Sequence, residues 1–238
     1  MSTLPQTTLA SPFGDVQLER FPKQNKHGQR HEPLRAWDAA DEYLLNQVAE
    51  RAPASTTRLA IINDGFGALG VALHAFKPTS FGDSYIAQQA YLQNMHDNQL
   101  ESESSKPLSS LALPTQEASG SSAFELVLIK VPKTLALLED QLYRLRANLD
   151  GRTIIIAAGM TKNIHNSTLA LFEKILGPTT TSLAKKKARL IFCQPQPPRW
   201  SGVSPYPSHY PLEGTHFQLS NHANVFSRAS LDIGTRLL

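Results

Sequence analysis

The sequence of 238 residues predicts an α/β fold with a doubly wound, mostly parallel sheet. Three observations support this prediction: short apolar runs alternate with helical patterns, a glycine-rich turn follows the first buried run, and a single cysteine excludes a disulfide framework. That residue, Cys193, lies in an apolar run and is expected to be buried in a strand. The length allows one or two domains, and the order of the elements favours one body over residues 36–219.

The first 35 residues are polar and interrupted by four prolines, so they predict an N-terminal arm with one short strand near residues 16–21. A first helix follows, because apolar residues from Trp37 to Val48 recur at spacings of three and four. Acidic side chains near its start suit the positive end of the helix dipole.

A glycine-rich turn follows the apolar run from Leu59 to Ile62 and leads into a helix-like segment. This order of strand, loop and helix is typical of a Rossmann-type nucleotide-binding unit. The turn resembles the loop of S-adenosylmethionine-dependent methyltransferases, with Gly65 and Gly67 in the first two glycine positions. Leu69 replaces the third glycine and Asn63 replaces the acid at the strand end. We expect the Leu69 side chain to crowd the adenosine path; an ordinary glycine-rich turn is the alternative.

A second strand is predicted to end at Asp83, about 20 residues after the glycine loop, where a dinucleotide-binding fold places its ribose-binding acid. An acid that caps the next helix, over residues 84–98, explains Asp83 equally well. The serine-rich residues 101–122 predict a flexible surface loop in the place of a third strand.

The second half of the chain alternates more regularly between strand and helix patterns. The predicted elements are strands at 125–131, 153–158, 188–193 and 216–219 and helices at 135–149 and 167–176. Five leucines of the first of these helices, from Leu135 to Leu149, are expected to share one apolar face. The Pro-rich residues 195–211 predict a connector before the last strand.

The basic residues are unevenly distributed along the chain. Residues 152–199 carry eight basic side chains and one acidic one, which favours a polyanion as partner; a solvated lysine-rich face is the alternative. If the strand begins at Lys185, period-two geometry directs Lys185, Lys187 and Arg189 to one side and Lys186 to the other. The candidates for phosphate contacts are Lys185, Lys186, Lys187, Arg189, Lys162, Arg199, Lys130 and Lys133.

The patterns for catalysis are weak, and we predict neither catalytic residues nor a metal site in this chain. The histidines do not combine with carboxylates at zinc-ligand spacing, and no serine lies in a nucleophile-elbow sequence. Residues 130–133 stand where amino methyltransferases carry Asn or Asp, two prolines and an aromatic residue. Lys130 has no acceptor to offer a target amine.

The most specific pattern lies at the C-terminus. Residues 212–214 and 219–238 resemble the connector of ribosomal RNA guanine-N2 methyltransferases with two tandem methyltransferase-like domains. The segments that resemble the large-subunit enzyme of that group are residues 36–45, 63–69, 82–86, 128–139 and 171–181. The resemblance departs in the loops 101–122 and 195–211.

This resemblance implies that the chain is the amino-terminal domain of a 23S ribosomal RNA guanine-N2 methyltransferase. Residues 36–219 would form a degenerate methyltransferase-like domain, and residues 220–238 a connector to a catalytic domain that binds S-adenosylmethionine. It further implies no cofactor in this chain and a role in recognising 23S ribosomal RNA.

The implied partners are therefore the 23S ribosomal RNA and the chain's own C-terminal catalytic domain. Two alternatives stay open: a structural module that supports the catalytic half without RNA contact, and a cofactor-binding methyltransferase in its own right. The apolar runs are too short to span a bilayer, which predicts a soluble, cytoplasmic protein without a membrane partner.

Overall fold

The computed structural model describes residues 7–22, 34–101, 106–113, 124–197, 200–227, 230–232 and 234–235. The strands are β1 (Thr8–Leu9), β2 (Val16–Gln17), β3 (Leu59–Ile62), β4 (Thr79–Phe81), β5 (Leu126–Lys130), β6 (Ile154–Met160), β7 (Thr179–Thr181), β8 (Ala188–Cys193), β9 (Ser208–Pro211) and β10 (Gln218–Asn221). The helices are α1 (Ala39–Arg51), α2 (Ala68–Ala72), α3 (Tyr85–Asp97), α4 (Leu135–Leu145) and α5 (Asn166–Ile175). No described helix has the length and apolar character needed to cross a membrane.

Six strands form one sheet in the order β4-β3-β5-β6-β8-β7. β4, β3, β5 and β6 are parallel, β8 runs antiparallel to β6, and β7 runs antiparallel to β8. The predicted α/β fold with a mostly parallel sheet is therefore confirmed. The four parallel strands end at Ile62, Phe81, Lys130 and Met160, and we call this side of the sheet the carboxyl edge. Because β8 is antiparallel, its first residue and the turn before it also lie at the carboxyl edge.

Apolar side chains leave the parallel strands on both faces. Ile61 and Leu128 join a core layer that includes residues of α1 and α3, whereas Ile62 and Ile129 join a second layer with α4 and α5. Parallel strands buried on both faces need such continuous apolar runs, which is why the sequence pattern identified them. Cys193 lies in the second layer, at the end of β8, as predicted.

Helix α4 differs from its predicted form at both ends. Leu138, Leu142 and Leu145 are fully buried, but Leu135 is 39% exposed at the start of the helix. The helix ends at Leu145, and a short 3-10 turn separates it from Leu149. The predicted five-leucine face is therefore wrong for its two outer members, although Leu149 is also buried.

Two predicted peripheral regions are packed against the body of the protein. In the N-terminal arm, β1 and β2 pair, and Asn94 of α3 exchanges hydrogen bonds of 2.9 and 3.0 Å with the backbone of Glu19. In the serine-rich loop, Leu108 forms a parallel bridge with Phe81, and Ser110 is buried. Residues 106–113 thus pack on the body through a single bridge, where related folds would carry a third strand, and the flexibility of the loop stays a prediction. The loop's other predicted residues lie outside the described part, except Glu101.

The C-terminal region also corrects the prediction. β7 was not predicted, because its three threonines have no apolar pattern. β10 does not join the central sheet but pairs with β9 in a separate antiparallel hairpin. This hairpin crosses the predicted boundary at residue 220, and its first strand lies inside the predicted 195–211 connector.

Candidate functional site

The glycine turn lies at the carboxyl edge, where open α/β sheets bind their ligands. Gly67 has a φ of +85°, and a Cβ there would lie 3.0 Å from the Cα of Tyr91. A Cβ at Gly70 would collide with the ring of Tyr91. Both glycines therefore make room for a side chain of α3. Gly65, in contrast, has open space around it.

A small cavity lies beside the turn. It is located between the ends of β3 and β4 and has a volume of about 20 Å³. Its lining residues are Asp64, Ser80, Phe81, Gly82, Ser84, Ala87, Gln88, Tyr91 and Pro107. A cavity of this size holds about one water molecule, far less than an adenosine requires.

Leu69 was predicted to crowd an adenosine path, and that role stays a prediction. The Leu69 side chain is fully buried in the core layer that includes residues of α1 and α3. Tyr91, which is 2% exposed, packs against the glycines of the turn. Asp83 is exposed, and the N-cap of α3 is Ser84, whose hydroxyl accepts a hydrogen bond of 3.2 Å from the backbone N–H of Ala87. Asp83 therefore does not supply the side-chain cap that the alternative interpretation gave it.

Asn63, at the place of the usual strand-end acid, is turned towards the interior. The Asn63 side-chain amide donates a hydrogen bond of 2.8 Å to the side chain of Gln141 and one of 3.2 Å to the Lys130 carbonyl. In return, the Gln141 amide donates a hydrogen bond of 2.8 Å to the side-chain oxygen of Asn63. Gln141 also donates 2.9 Å to the hydroxyl of Ser110. The amide thus joins β3 to α4 and to the 106–113 segment.

Asp64 closes the start of α2. Its Oδ2 accepts hydrogen bonds of 3.0 and 2.8 Å from the backbone N–H groups of Leu69 and Gly70. Its Oδ1 is buried and has no hydrogen-bond partner within the described residues. Burial, together with the charge of Asp41, raises the pKa of Asp64 to about 7. The carboxylate thus occupies donors that a bound ligand would otherwise use.

Lys130 forms a buried ion-pair cluster with α1. Its Nζ donates hydrogen bonds of 2.7 Å to Asp38 and 2.7 Å to Asp41, and its side chain is 14% exposed. Burial alone would lower the pKa of Lys130, but the two carboxylates outweigh it and raise the pKa. Two of its three ammonium donors are thus used within the fold. This geometry favours a structural role for Lys130 over the predicted phosphate contact.

Other predicted basic residues do gather at the carboxyl edge. Lys133 follows β5 and Lys162 follows β6, while Lys185, Lys186 and Lys187 precede β8; all five are exposed. The backbone N–H of Thr161 donates 2.8 Å to the Lys187 carbonyl, which brings Lys187 next to Lys162. The sheet topology explains this grouping, because the parallel strands β5 and β6 end, and the antiparallel strand β8 begins, at the same edge.

Lys185 to Ala188 form a tight turn, so the condition that the strand begins at Lys185 is not met, and the predicted strand 188–193 is confirmed. Lys185 and Ala188 exchange two backbone hydrogen bonds of 2.8 Å. Lys186 and Lys187 have φ angles of +49° and +63°, the type I′ geometry of a two-residue hairpin loop. β8 begins only at Ala188, and Arg189 is half-buried with a buried Nε.

The rest of the basic block 152–199 is dispersed. Arg152 precedes β6 at the opposite edge of the sheet, where its side chain is 93% exposed and pairs with Asp150 at 3.2 Å. Lys174 lies on α5 and is 3.7 Å from Glu139. Arg199 lies outside the described residues. Within the described ranges, no cluster of three or more His, Cys, Asp or Glu side chains is arranged for a metal ion.

Two arginines at the carboxyl edge were missed by sequence reasoning. The Arg20 guanidinium lies 4.6 Å from the ring centroid of Phe66, in the glycine turn, and Arg35 lies 5.2 Å from that of Trp37. Both belong to the region predicted as a polar arm. Arg35 also pairs at 3.6 Å with Glu42, the carboxylate that Lys186 contacts.

Comparison with known proteins identifies close relatives. The chain is 50% identical over 234 residues to the ribosomal RNA large subunit methyltransferase G of Aeromonas salmonicida, a match that covers 98% of this chain and 59% of that protein. It is 52% identical over 220 residues to the protein of the same name from Erwinia tasmaniensis, covering 92% of this chain and 55% of that protein. The chain thus spans less than two thirds of the length of these relatives.

Among solved structures, the T. thermophilus 16S rRNA N2 G1207 methyltransferase (RsmC) in complex with AdoMet and guanosine aligns with a TM-score of 0.58 at 16% identity. The alignment covers 97% of this chain and 56% of that chain, and at this identity it establishes a shared Rossmann-like fold. Residues 6–197 match the model of the RLMG N-terminal domain. This match covers most of the chain, which therefore belongs to the RLMG N-terminal domain family.

Proposed function

We propose that this domain recognises ribosomal RNA on behalf of a methyltransferase and performs no methyl transfer itself. The observation that carries the proposal is the contrast within the carboxyl edge: the cavity beside the glycine turn has a volume of only about 20 Å³, whereas the rim carries exposed lysines. The relatives are named ribosomal RNA large subunit methyltransferase G, which supports an RNA ligand.

The absence of chemistry rests on the contents of the cleft. Tyr91 occupies the space beside the glycines, Asp64 accepts from the first N–H groups of α2, and Asn63 is engaged by Gln141. Lys130 is neutralised by Asp38 and Asp41 where an amino methyltransferase would hold its target amine. An S-adenosylmethionine molecule would have to displace several satisfied contacts at once, with a correspondingly large cost.

The RNA role rests on electrostatics. Lysines at one edge of a rigid sheet attract phosphates without regard to base sequence and release counterions on binding. We infer that the RNA is 23S ribosomal RNA and that the catalytic half of the protein supplies cofactor and base specificity. The domain would then contribute affinity and orientation.

The test is a fluorescence anisotropy titration of the chain with a transcript of 23S ribosomal RNA at several salt concentrations. The proposal expects saturable binding that weakens steeply with salt, and no saturable heat with S-adenosylmethionine in parallel calorimetry. A chain that leaves the RNA anisotropy unchanged at low salt contradicts RNA recognition. Low-micromolar cofactor binding contradicts the non-catalytic role.

A second candidate is a structural module that supports the catalytic half without RNA contact. Val203, Phe217 and Phe226 favour it, because they are 84%, 59% and 83% exposed in the C-terminal region. These exposed apolar side chains are available for contact with a protein partner. The RNA titration separates the two candidates, since a purely structural module leaves the RNA unbound.

A further inference from the structure

The turn between β7 and β8 contains an unusual choice of residues. Type I′ turns require a positive φ at both central positions, and for this reason Asn-Gly or Gly-Gly usually occupies them. Here Lys186 and Lys187 hold these positions, at +49° and +63°. A side chain with a Cβ is strained in this region, and strain of this kind concentrates at functional sites.

The turn is also held in place from three directions. Lys186 pairs with Glu42 of α1 at 2.7 Å. The Lys185 ammonium lies 5.6 Å from the centroid of the Tyr43 ring, and the Tyr43 hydroxyl donates 3.4 Å to the Leu183 carbonyl. The Thr161 N–H donates 2.8 Å to the Lys187 carbonyl. The backbone of the turn is therefore fixed before any ligand arrives.

The two central lysines have different surroundings. Lys186 is committed to Glu42, whereas Lys187 is exposed and forms no ion pair with another described residue. Lys162, next to Lys187 through the Thr161 contact, is likewise exposed without an ion pair in the described part of the chain. Their ammonium groups thus face solvent from a fixed backbone.

We propose that this turn is a preorganised phosphate-contacting element, in which Lys187 and Lys162 bind the RNA backbone and Lys186 anchors the turn to α1. The inference rests on the proposed RNA recognition and assigns it to particular residues. Preorganisation lowers the ordering cost of binding, so a strained turn costs stability but gains affinity.

The test uses Lys187→Gly, which removes the ammonium and relieves the strain in one step. We expect the midpoint of thermal unfolding to rise by about 2–4 °C, since glycine adopts a positive φ freely. We expect binding to a 23S ribosomal RNA transcript to weaken several-fold, with the salt slope falling by about one unit. If Lys187 had only a structural role, its substitution would not both raise the unfolding midpoint and weaken RNA binding.

Lys77→Gly is the matched control. Lys77 is also exposed and has a φ of +49°, but it precedes β4 at the opposite edge of the sheet. This variant should gain stability in the same way and bind RNA like the parent. Lys162→Gln supplies the complementary case: it should weaken RNA binding and lower the salt slope without raising the unfolding midpoint.

The outcomes separate the two levels of the proposal. If the parent binds RNA and Lys187→Gly binds with the same affinity and salt slope, the turn is not the contacting element, while RNA recognition stands. If Lys77→Gly weakens RNA binding as much as Lys187→Gly does, the assignment of the phosphate contacts to the carboxyl edge is refuted. If the parent chain does not bind the transcript, RNA recognition itself fails and this inference with it.

Discussion

Replacing Lys130 by methionine tests the assignment of this residue to structure. The variant keeps most of the side-chain volume but removes the charge that lies 2.7 Å from both Asp38 and Asp41. The Asp41 side chain is 7% exposed, so its carboxylate would remain buried without its cation. Removing one partner of a buried ion pair costs about 3–5 kcal/mol, and here the lower value applies because Asp38 is 46% exposed and screened by water.

A loss of about 3 kcal/mol corresponds to a fall of roughly 6–12 °C in the unfolding midpoint for a chain of this size. The loss should depend on pH. Without Lys130, the pKa of Asp41, already raised by burial, rises further, so Asp41 is protonated more readily in the folded than in the unfolded state. Stability of the variant should therefore fall as pH rises, and its deficit relative to the parent should be larger at pH 8 than at pH 5.

Urea denaturation of the parent, Lys130→Met and Lys133→Met at both pH values measures these effects. Lys133 is exposed three residues away, so its substitution should change the free energy of unfolding by less than about 0.5 kcal/mol. A Lys130→Met variant as stable as the parent, with a smaller salt slope for RNA, would refute the structural assignment and restore Lys130 as a phosphate contact.

Three further predictions concern the cleft and the basic turn. Asp64→Asn should reduce the loss of stability that occurs between pH 5 and 8. Because the pKa of Asp64 is raised in the folded state, its protonated form stabilises the fold at low pH, and this contribution is lost as pH rises towards about 7. Denaturation curves across this pH range check the prediction. Leu69→Gly should not create S-adenosylmethionine binding in calorimetry and should destabilise the fold by roughly 2–5 kcal/mol, since the fully buried leucine leaves a cavity; a saturable heat would contradict this. The combined Lys185→Ala, Lys186→Ala, Lys187→Ala variant should fold and lower the RNA salt slope, and an unchanged slope would count against any phosphate role of the turn.

The sequence was sufficient where local pattern determines structure. The continuous apolar runs of β5 and β6 can be satisfied only by burial on both faces, so the two central strands were predicted correctly. β7 was missed because its threonines belong to an exposed edge strand, which imposes no apolar pattern. The position of Lys130 depends on Asp38 and Asp41, about 90 residues earlier in the chain, and local reasoning has no access to such a contact.

The same limit applies to the glycine turn. The glycine spacing identified a turn between β3 and α2, but the side chain that packs against its glycines comes from α3. Gly67 and Gly70 are needed because Tyr91 packs against them, a reason that periodicity cannot reveal. The type I′ turn was missed for a related reason, since two lysines carry none of the Asn or Gly signal by which such turns are recognised.

Several polar groups beside the glycine turn find hydrogen-bond partners within the chain itself. The N–H groups at the start of α2 and the strand-end side chains are polar and lie near the core, so each needs a partner. Asp64 supplies one for the helix, and Gln141 supplies one for Asn63. Because these contacts come from separate elements, a single substitution would remove only part of them. The exposed lysines of the rim lie outside this network, so under the proposed RNA recognition their substitution should alter RNA binding while the core stays intact.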